Sequence, residues 1–168
     1  GVSKMFQLEV DDRNSFVSVA GSLVKPIRRS DMAERMVSQV HFATLTPNQV
    51  RGNHLHPGFR ERITLLFGRF YLRVATRLTS TWIAEDHIFE VDPSLARPSS
   101  PGNDYDYLPA FFRDDDIITS SSPLTIDLFP RVCHGLAALN ASQYKGSTVG
   151  SGPAFFGSYY LWNEERDG

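Results

Sequence analysis

Arg51-Gly52-Asn53-His54-Leu55-His56-Pro57-Gly58-Phe59-Arg60-Glu61-Arg62-Ile63-Thr64-Leu65-Leu66-Phe67-Gly68 is the most informative run in the chain. Side chains two apart on an extended strand project to the same face, so His54 and His56 can meet one small object. Pro57-Gly58 supplies a turn, after which Glu61 can return to that object. Two imidazoles and a carboxylate suit a first-row divalent ion, because borderline nitrogen donors bind it well and the hard oxygen leaves its charge partly uncompensated. His134, in Phe129-Pro130-Arg131-Val132-Cys133-His134-Gly135-Leu136, is the expected fourth ligand. Zinc, iron, manganese and nickel all fit such a set, so spacing does not choose the ion. The competing reading is a pair of strand histidines on a polar surface.

Outward from this run the chain reads as short strands. Val37 to Leu45 is a strand broken by Thr46-Pro47-Asn48, and Val50 to His56, Ile63 to Phe67, Phe70 to Val74 and Trp82 to Val91 follow, with turns at Pro57-Gly58 and Gly68. Phe6 to Val10 and Phe16 to Ala20 alternate apolar and polar residues around Asp11-Asp12-Arg13-Asn14, the pattern of a hairpin. Ser30 to Met36 is one short helical turn or a loop. Leu124 to Phe129 is a strand leading to His134, Tyr144 to Gly157 a glycine-rich turn region, and Ser158 to Trp162 a closing strand. Between Asp92 and Pro123 the prolines, serines and the Asp114-Asp115-Asp116 block mark a long insertion outside the barrel. Its Tyr105, Tyr107, Leu108, Phe111 and Phe112 are apolar enough to form a flap on the barrel or a neighbouring subunit, a decorated surface loop being the alternative. Many short strands without a 3.6-residue periodicity predict an all-β sandwich or barrel.

At 168 residues and 41% hydrophobic composition the chain is sized for one domain, 1–168, with its own core. A net charge of −2 and a pI near 6.2 give no global reason to bind nucleic acid or an anionic membrane. No basic run is interleaved with aromatics in the way single-stranded nucleic acid requires. The single cysteine, Cys133, cannot form an internal disulfide, which fits a reducing compartment. With no bilayer-length apolar run and no charged-then-apolar leader, the expected location is cytoplasmic.

The opening run resembles the first motif of the cupins, H-x-H, three or four residues, E, six residues, G, read here as His54, His56, Glu61 and Gly68. Pro130, His134 and Asn140 resemble the second motif. Asn48 and Arg131 stand where the two motifs respectively tend to carry glycine. From about Val37 to Asp167 the chain is more closely similar to the cupin domain of bacterial capsular-polysaccharide enzymes that process sugar nucleotides. Arg51 to His56, Ile63 to Val74 and Tyr160 to Asp167 carry that similarity. The resemblance implies a single antiparallel double-stranded β-helix, the RmlC-like cupin or jelly-roll barrel, paired through its outer strands as a homodimer. It also implies zinc on His54, His56, Glu61 and His134, and inversion of a carbon beside a keto group on a nucleotide sugar. No G-x-G-x-x-G occurs, so nothing supports a nicotinamide-dependent reductase half. Cupins with this ligand set also activate dioxygen through iron, and others hold a sugar or small acid without turning it over; both readings stay open.

Enolisation beside a ketone needs a stabilised oxyanion, which a divalent Lewis acid supplies, and a positioned base and acid. His41 and His87 are candidate bases and Tyr71 a candidate acid. Against these roles, His41 shares a strand face with Gln39, Ala43 and Leu45, His87 follows Glu85-Asp86 in a turn, and Tyr71 sits between apolar neighbours. Arg51 and Arg131 are candidates for a substrate diphosphate, since a guanidinium fork suits bidentate recognition. By parity Arg51 faces away from His54 and His56, and Arg69 and Arg73 share a face with Tyr71, as a phosphate-binding stripe or an ordinary charged exterior.

Overall fold

A computed structural model describes residues 3–10, 16–18, 21–34, 36–54, 60–114, 116–139 and 154–162. In chain order its strands are β1 (Phe6–Val10), β2 (Phe16–Ser18), β3 (Gly21–Leu23), β4 (Met36–Leu45), β5 (Val50–His54), β6 (Arg60–Leu78) and β7 (Thr81–Val91). They continue with β8 (Arg97–Pro98), β9 (Tyr107–Leu108), β10 (Phe111–Asp114), β11 (Ile117–Ser120), β12 (Leu124–Leu128), β13 (Cys133–Ala138) and β14 (Ala154–Trp162). The short helix α1 (Arg29–Glu34) precedes β4, and no helix among the described residues is long and apolar enough to cross a membrane.

The 19-residue strand β6 belongs to two sheets. Its first half pairs with β12 and β14, which carry β1 and β4 on their far sides, giving the order β1-β12-β6-β14-β4. Its second half pairs with β7 and β13, giving β10-β11-β7-β6-β13-β5. All these pairings are antiparallel except β11 with β7. The sheets curl over a common core in which Ile63, Leu65, Leu124, Ile126 and Phe156 of the first face Phe70, Leu72, Val74, Phe89 and Leu136 of the second. Each such side chain contributes roughly 1.5–3 kcal/mol on burial.

The change of sheet occurs at Gly68. Its φ of +117° is open to glycine alone, and a Cβ there would lie 2.6 Å from the Ala154 Cβ and 2.9 Å from the Ala154 Cα. The expected turn at Gly68 is therefore a bend inside one continuous strand. Both non-glycine residues at the positions where the resemblance expects glycine also take the left-handed conformation, Asn48 at φ +68° and Arg131 at φ +65°.

Several local expectations are corrected by pairing. Phe6–Val10 does not form a hairpin with Phe16–Ser18: β1 pairs with β12, and β2 pairs with β3. Residues 154–157, read as turn, begin β14. The insertion is not wholly outside, because β10 and β11 extend the second sheet beyond β7 and Ile118 enters the core. Its Tyr105, Leu108, Phe111 and Phe112 remain exposed. Arg69, expected outside, is 1% exposed and paired with the cross-strand Glu90 at 3.3 Å.

Arg62 ties α1 to the first sheet, donating to Asp127 on β12 at 2.7 Å, to Asp31 on α1 at 3.0 Å and to the Pro26 carbonyl at 2.9 Å. Burial pushes the Asp31 carboxyl up, but hydrogen bonds from Arg62 and the Arg28 backbone N–H outweigh it and hold the pKa below the usual value. Such a group contributes stability that is complete above its unfolded pKa, about 3.9, and is lost as pH falls through the lower folded value. Wild-type stability in a urea series should fall below about pH 4, and Asp31→Asn should flatten that acid limb. Gly68→Ala should lower unfolding free energy by roughly 2–5 kcal/mol, from backbone strain plus the clash with Ala154, measured by the same urea series.

Candidate active site

Glu61 shares the inward face of β6 with Ile63 and Leu65, so strand alternation carries its carboxylate into the core. His134 on β13 lies across from Val74, with Leu136 across from Leu72, which turns its imidazole inward from the opposite sheet. The two groups meet across the interior, His134 Nε2 lying 2.7 Å from Glu61 Oε2. The neighbouring strand β14 adds Ser158, whose hydroxyl donates to Glu61 Oε1 at 2.5 Å, and Tyr160, which is across from Glu61 in the ladder. Burial first, and then the Glu61 charge, push the Tyr160 phenol above its usual pKa, so it stays protonated at neutral pH.

These groups line a cavity of about 230 Å³ with His41, Arg51, Gly52 and the apolar Ile63, Leu136 and Phe156. It lies where the barrel edges β4 and β5 approach one another. His41 is held from both sides: the Gln39 amide Nε2 donates to its Nε2 at 2.8 Å, and its ring meets the Tyr160 ring edge-on at 4.9 Å. Arg51 is exposed at the rim, where its Nε donates to the Thr44 carbonyl at 3.1 Å and bridges the two edges. It lines the cavity beside Gly52, whose φ is +84°. That glycine also gives His134 room, since a Cβ on it would lie 3.2 Å from both Cδ2 and Nε2 of the imidazole.

The remaining expected site residues fall elsewhere or outside the description. Tyr71 points from the other face of β6 into a second cavity of about 720 Å³, shared with Glu85, Asp86 and His87. Its hydrogen bond to Asp86, with burial second, raises its pKa. His87 lies in that same cavity, on β7 rather than in a turn, bonded to Glu85 at 2.9 Å and packed edge-on against Phe6. Neither is brought to the Glu61–His134 pair. Arg131 is exposed in the turn before β13 and does not line the smaller cavity. His54 stands across from His134 in the β5–β13 ladder, while its side chain and all of His56 lie outside the described residues.

Nitrogen and oxygen donors on Glu61 and His134, with the backbone of His54 beside them, fit a borderline divalent cation in kind. Among the described residues no three histidine, cysteine or carboxylate side chains form a metal-holding group. His134 Nε2 and Glu61 Oε2 stand 2.7 Å apart. Two ligands about 2.1 Å from a tetrahedral zinc stand roughly 3.4 Å apart, so these two would separate to admit it. Ser158 and Tyr160 were not foreseen as site residues; the inward period of Phe156, Ser158 and Tyr160 becomes informative only once β14 is placed against Glu61.

No family model matches the chain, and no curated protein matches it in sequence. Solved structures do match. A dTDP sugar isomerase from Desulfovibrio desulfuricans G20 aligns with a TM-score of 0.54 at 13% identity, over 94% of this chain and 76% of the other. The QdtA sugar 3,4-ketoisomerase from Thermoanaerobacterium thermosaccharolyticum, in complex with TDP, aligns at 0.51 and 11% identity over 99% and 88%. ChmJ, a 3'-monoepimerase from Streptomyces bikiniensis in complex with dTDP-quinovose, aligns at 0.52 and 13% identity over 94% and 65%. Likeness at these identities establishes the RmlC-like cupin fold.

Gly52→Ala should push the imidazole away from Glu61 and cost about 1–3 kcal/mol in backbone strain. Urea unfolding measures that loss, and an unchanged unfolding curve would mean that the bare glycine face does not matter.

Proposed function

We propose that this protein is an enzyme that epimerises or isomerises a nucleotide-linked 4-keto sugar. The observation that carries the reading is the buried Glu61–His134 contact facing a small cavity that also holds a protonated tyrosine. The fold shared with proteins described as a dTDP sugar isomerase, a 3,4-ketoisomerase and a 3'-monoepimerase supports the substrate class.

His134, oriented by Glu61, takes the proton from the carbon beside the ketone, and the C–H electron pair moves into an enolate. The carboxylate stabilises the imidazolium that forms, as an oriented base requires. Tyr160 projects from the first sheet and His134 from the second, so a sugar ring between them meets the two groups on opposite faces. Protonation of the carbon by Tyr160 then inverts it. Delivery of the proton to the former carbonyl carbon, with the neighbouring hydroxyl passing its own proton to the former carbonyl oxygen, moves the carbonyl instead. Arg51 at the rim of the cavity of about 230 Å³ is the residue assigned to a diphosphate held outside it.

A second reading keeps His54, His56, Glu61 and His134 as ligands of one divalent ion, zinc first and iron, manganese or nickel after it. The cross-strand position of His54 beside His134 favours it. The ion when bound supplies a Lewis acid for the enolate oxygen. Elemental analysis of purified protein decides this point: a stoichiometric metal lost in His54→Ala supports it, and metal-free active protein removes it.

In deuterated water, a thymidine-diphosphate-linked 4-keto-6-deoxyhexose should gain deuterium at a carbon adjoining the ketone. His134→Asn or Glu61→Gln should slow this about 10²–10⁴-fold. A probe recovered without deuterium from the wild-type protein would count decisively against the proposal.

A further inference from the structure

Ser158 sits at an inward strand position between Phe156 and Tyr160, across from Ile63 on β6 and His41 on β4. An alanine would fill such a place among apolar neighbours without cost, whereas a buried hydroxyl is unfavourable unless it is hydrogen-bonded. The exposures are 4% for Ser158, 8% for Glu61 and 5% for His134, so all three polar groups are withdrawn from solvent together. The hydroxyl donates to Glu61 Oε1, while His134 Nε2 meets the other oxygen, Oε2. A glutamate has considerable rotamer freedom to lose, and one contact leaves the carboxylate free to turn about its axis. A hydroxyl donor at one oxygen and an imidazole nitrogen packed 2.7 Å from the other, on two different strands, restrict that rotation. Because β14 is paired on both sides, with β4 and with β6, Ser158 is anchored by two ladders and cannot drift with the carboxylate.

We infer that Ser158 is a positioning residue, which holds one oxygen of Glu61 so that the other is presented to His134. The inference rests on the proposed function for its catalytic consequence and on geometry alone for the contact. Ser158 touches no reacting atom in this scheme and acts through Glu61. Threonine at this position keeps the hydroxyl, is suited to a strand, and differs from valine only in replacing a methyl by that oxygen. The pair Ser158→Thr and Ser158→Val therefore separates hydrogen bonding from shape.

Two measurements test it. With the thymidine-diphosphate-linked 4-keto-6-deoxyhexose as probe, Ser158→Val should lower kcat for deuterium incorporation about 10–100-fold, with KM within roughly twofold. Ser158→Thr should restore kcat to within about threefold of wild type. Independently of activity, urea unfolding of Glu61→Gln, His134→Gln and the double variant gives the coupling between those two side chains. Expressed as a ratio of unfolding constants, that coupling should be about tenfold in the wild-type and Ser158→Thr backgrounds and close to one in Ser158→Val. Equal kcat for the valine and threonine variants, or equal coupling in all three backgrounds, would overturn the inference. Wild-type protein that leaves the probe unlabelled defeats the epimerase reading instead, and the coupling measurement then decides Ser158 by itself.

Discussion

One long strand has to serve two sheets, and it can do so only where its backbone bends against a neighbour without a side chain in the way. Gly68 meets that requirement on β6, packed so closely on Ala154 that a single added carbon would collide. The first half of β6 delivers Glu61, Ile63 and Leu65 to the interior; the second delivers Phe70, Leu72 and Val74. Because β14 lies beside the first half and β13 beside the second, the same bend brings Ser158 and Tyr160 toward His134. Core and site thus depend on one constraint.

The buried pair at the centre is costly as well as useful. Withdrawing a carboxylate and an imidazole from water is unfavourable unless their remaining polar atoms are satisfied, and breaking such a pair strands a charge in the core. Here a hydroxyl donates to one carboxylate oxygen and an imidazole approaches the other, each supplied from a separate strand by tertiary pairing. Gly52 has a similar dependence. Its positive φ and bare face serve a ring that is distant in sequence.

The two cavities show how alternation sorts candidates of equal promise. Tyr71 and Leu72 are adjacent, yet one lies with Asp86 and His87 while the other packs in the core across from Leu136. An aromatic acid and a histidine base chosen for proximity to the first motif could fall on either side of β6. No sequence interval connects Tyr160 with Glu61, yet the ladder places it directly across from that residue.

Alternating apolar residues made the strands from Val37 to Val91 readable, as short-range properties of an extended backbone. The histidine, glutamate and glycine spacing likewise marked Glu61 and pointed to His134 before any partner was visible. Which strands pair was not readable, because ladder partners are chosen by non-local packing; hence Phe6–Val10 joined β12 instead of its sequence neighbour, and β11 slid in beside β7. Arg69 looked like a surface cation until Glu90 appeared opposite it. The chain's own order of residues determined that it would be a β-protein carrying a buried acid near a histidine. Only tertiary structure decided that Ser158 and Tyr160 complete that site while Tyr71 and His87 do not, since a side chain's face follows from local geometry but its neighbours follow from the sheet.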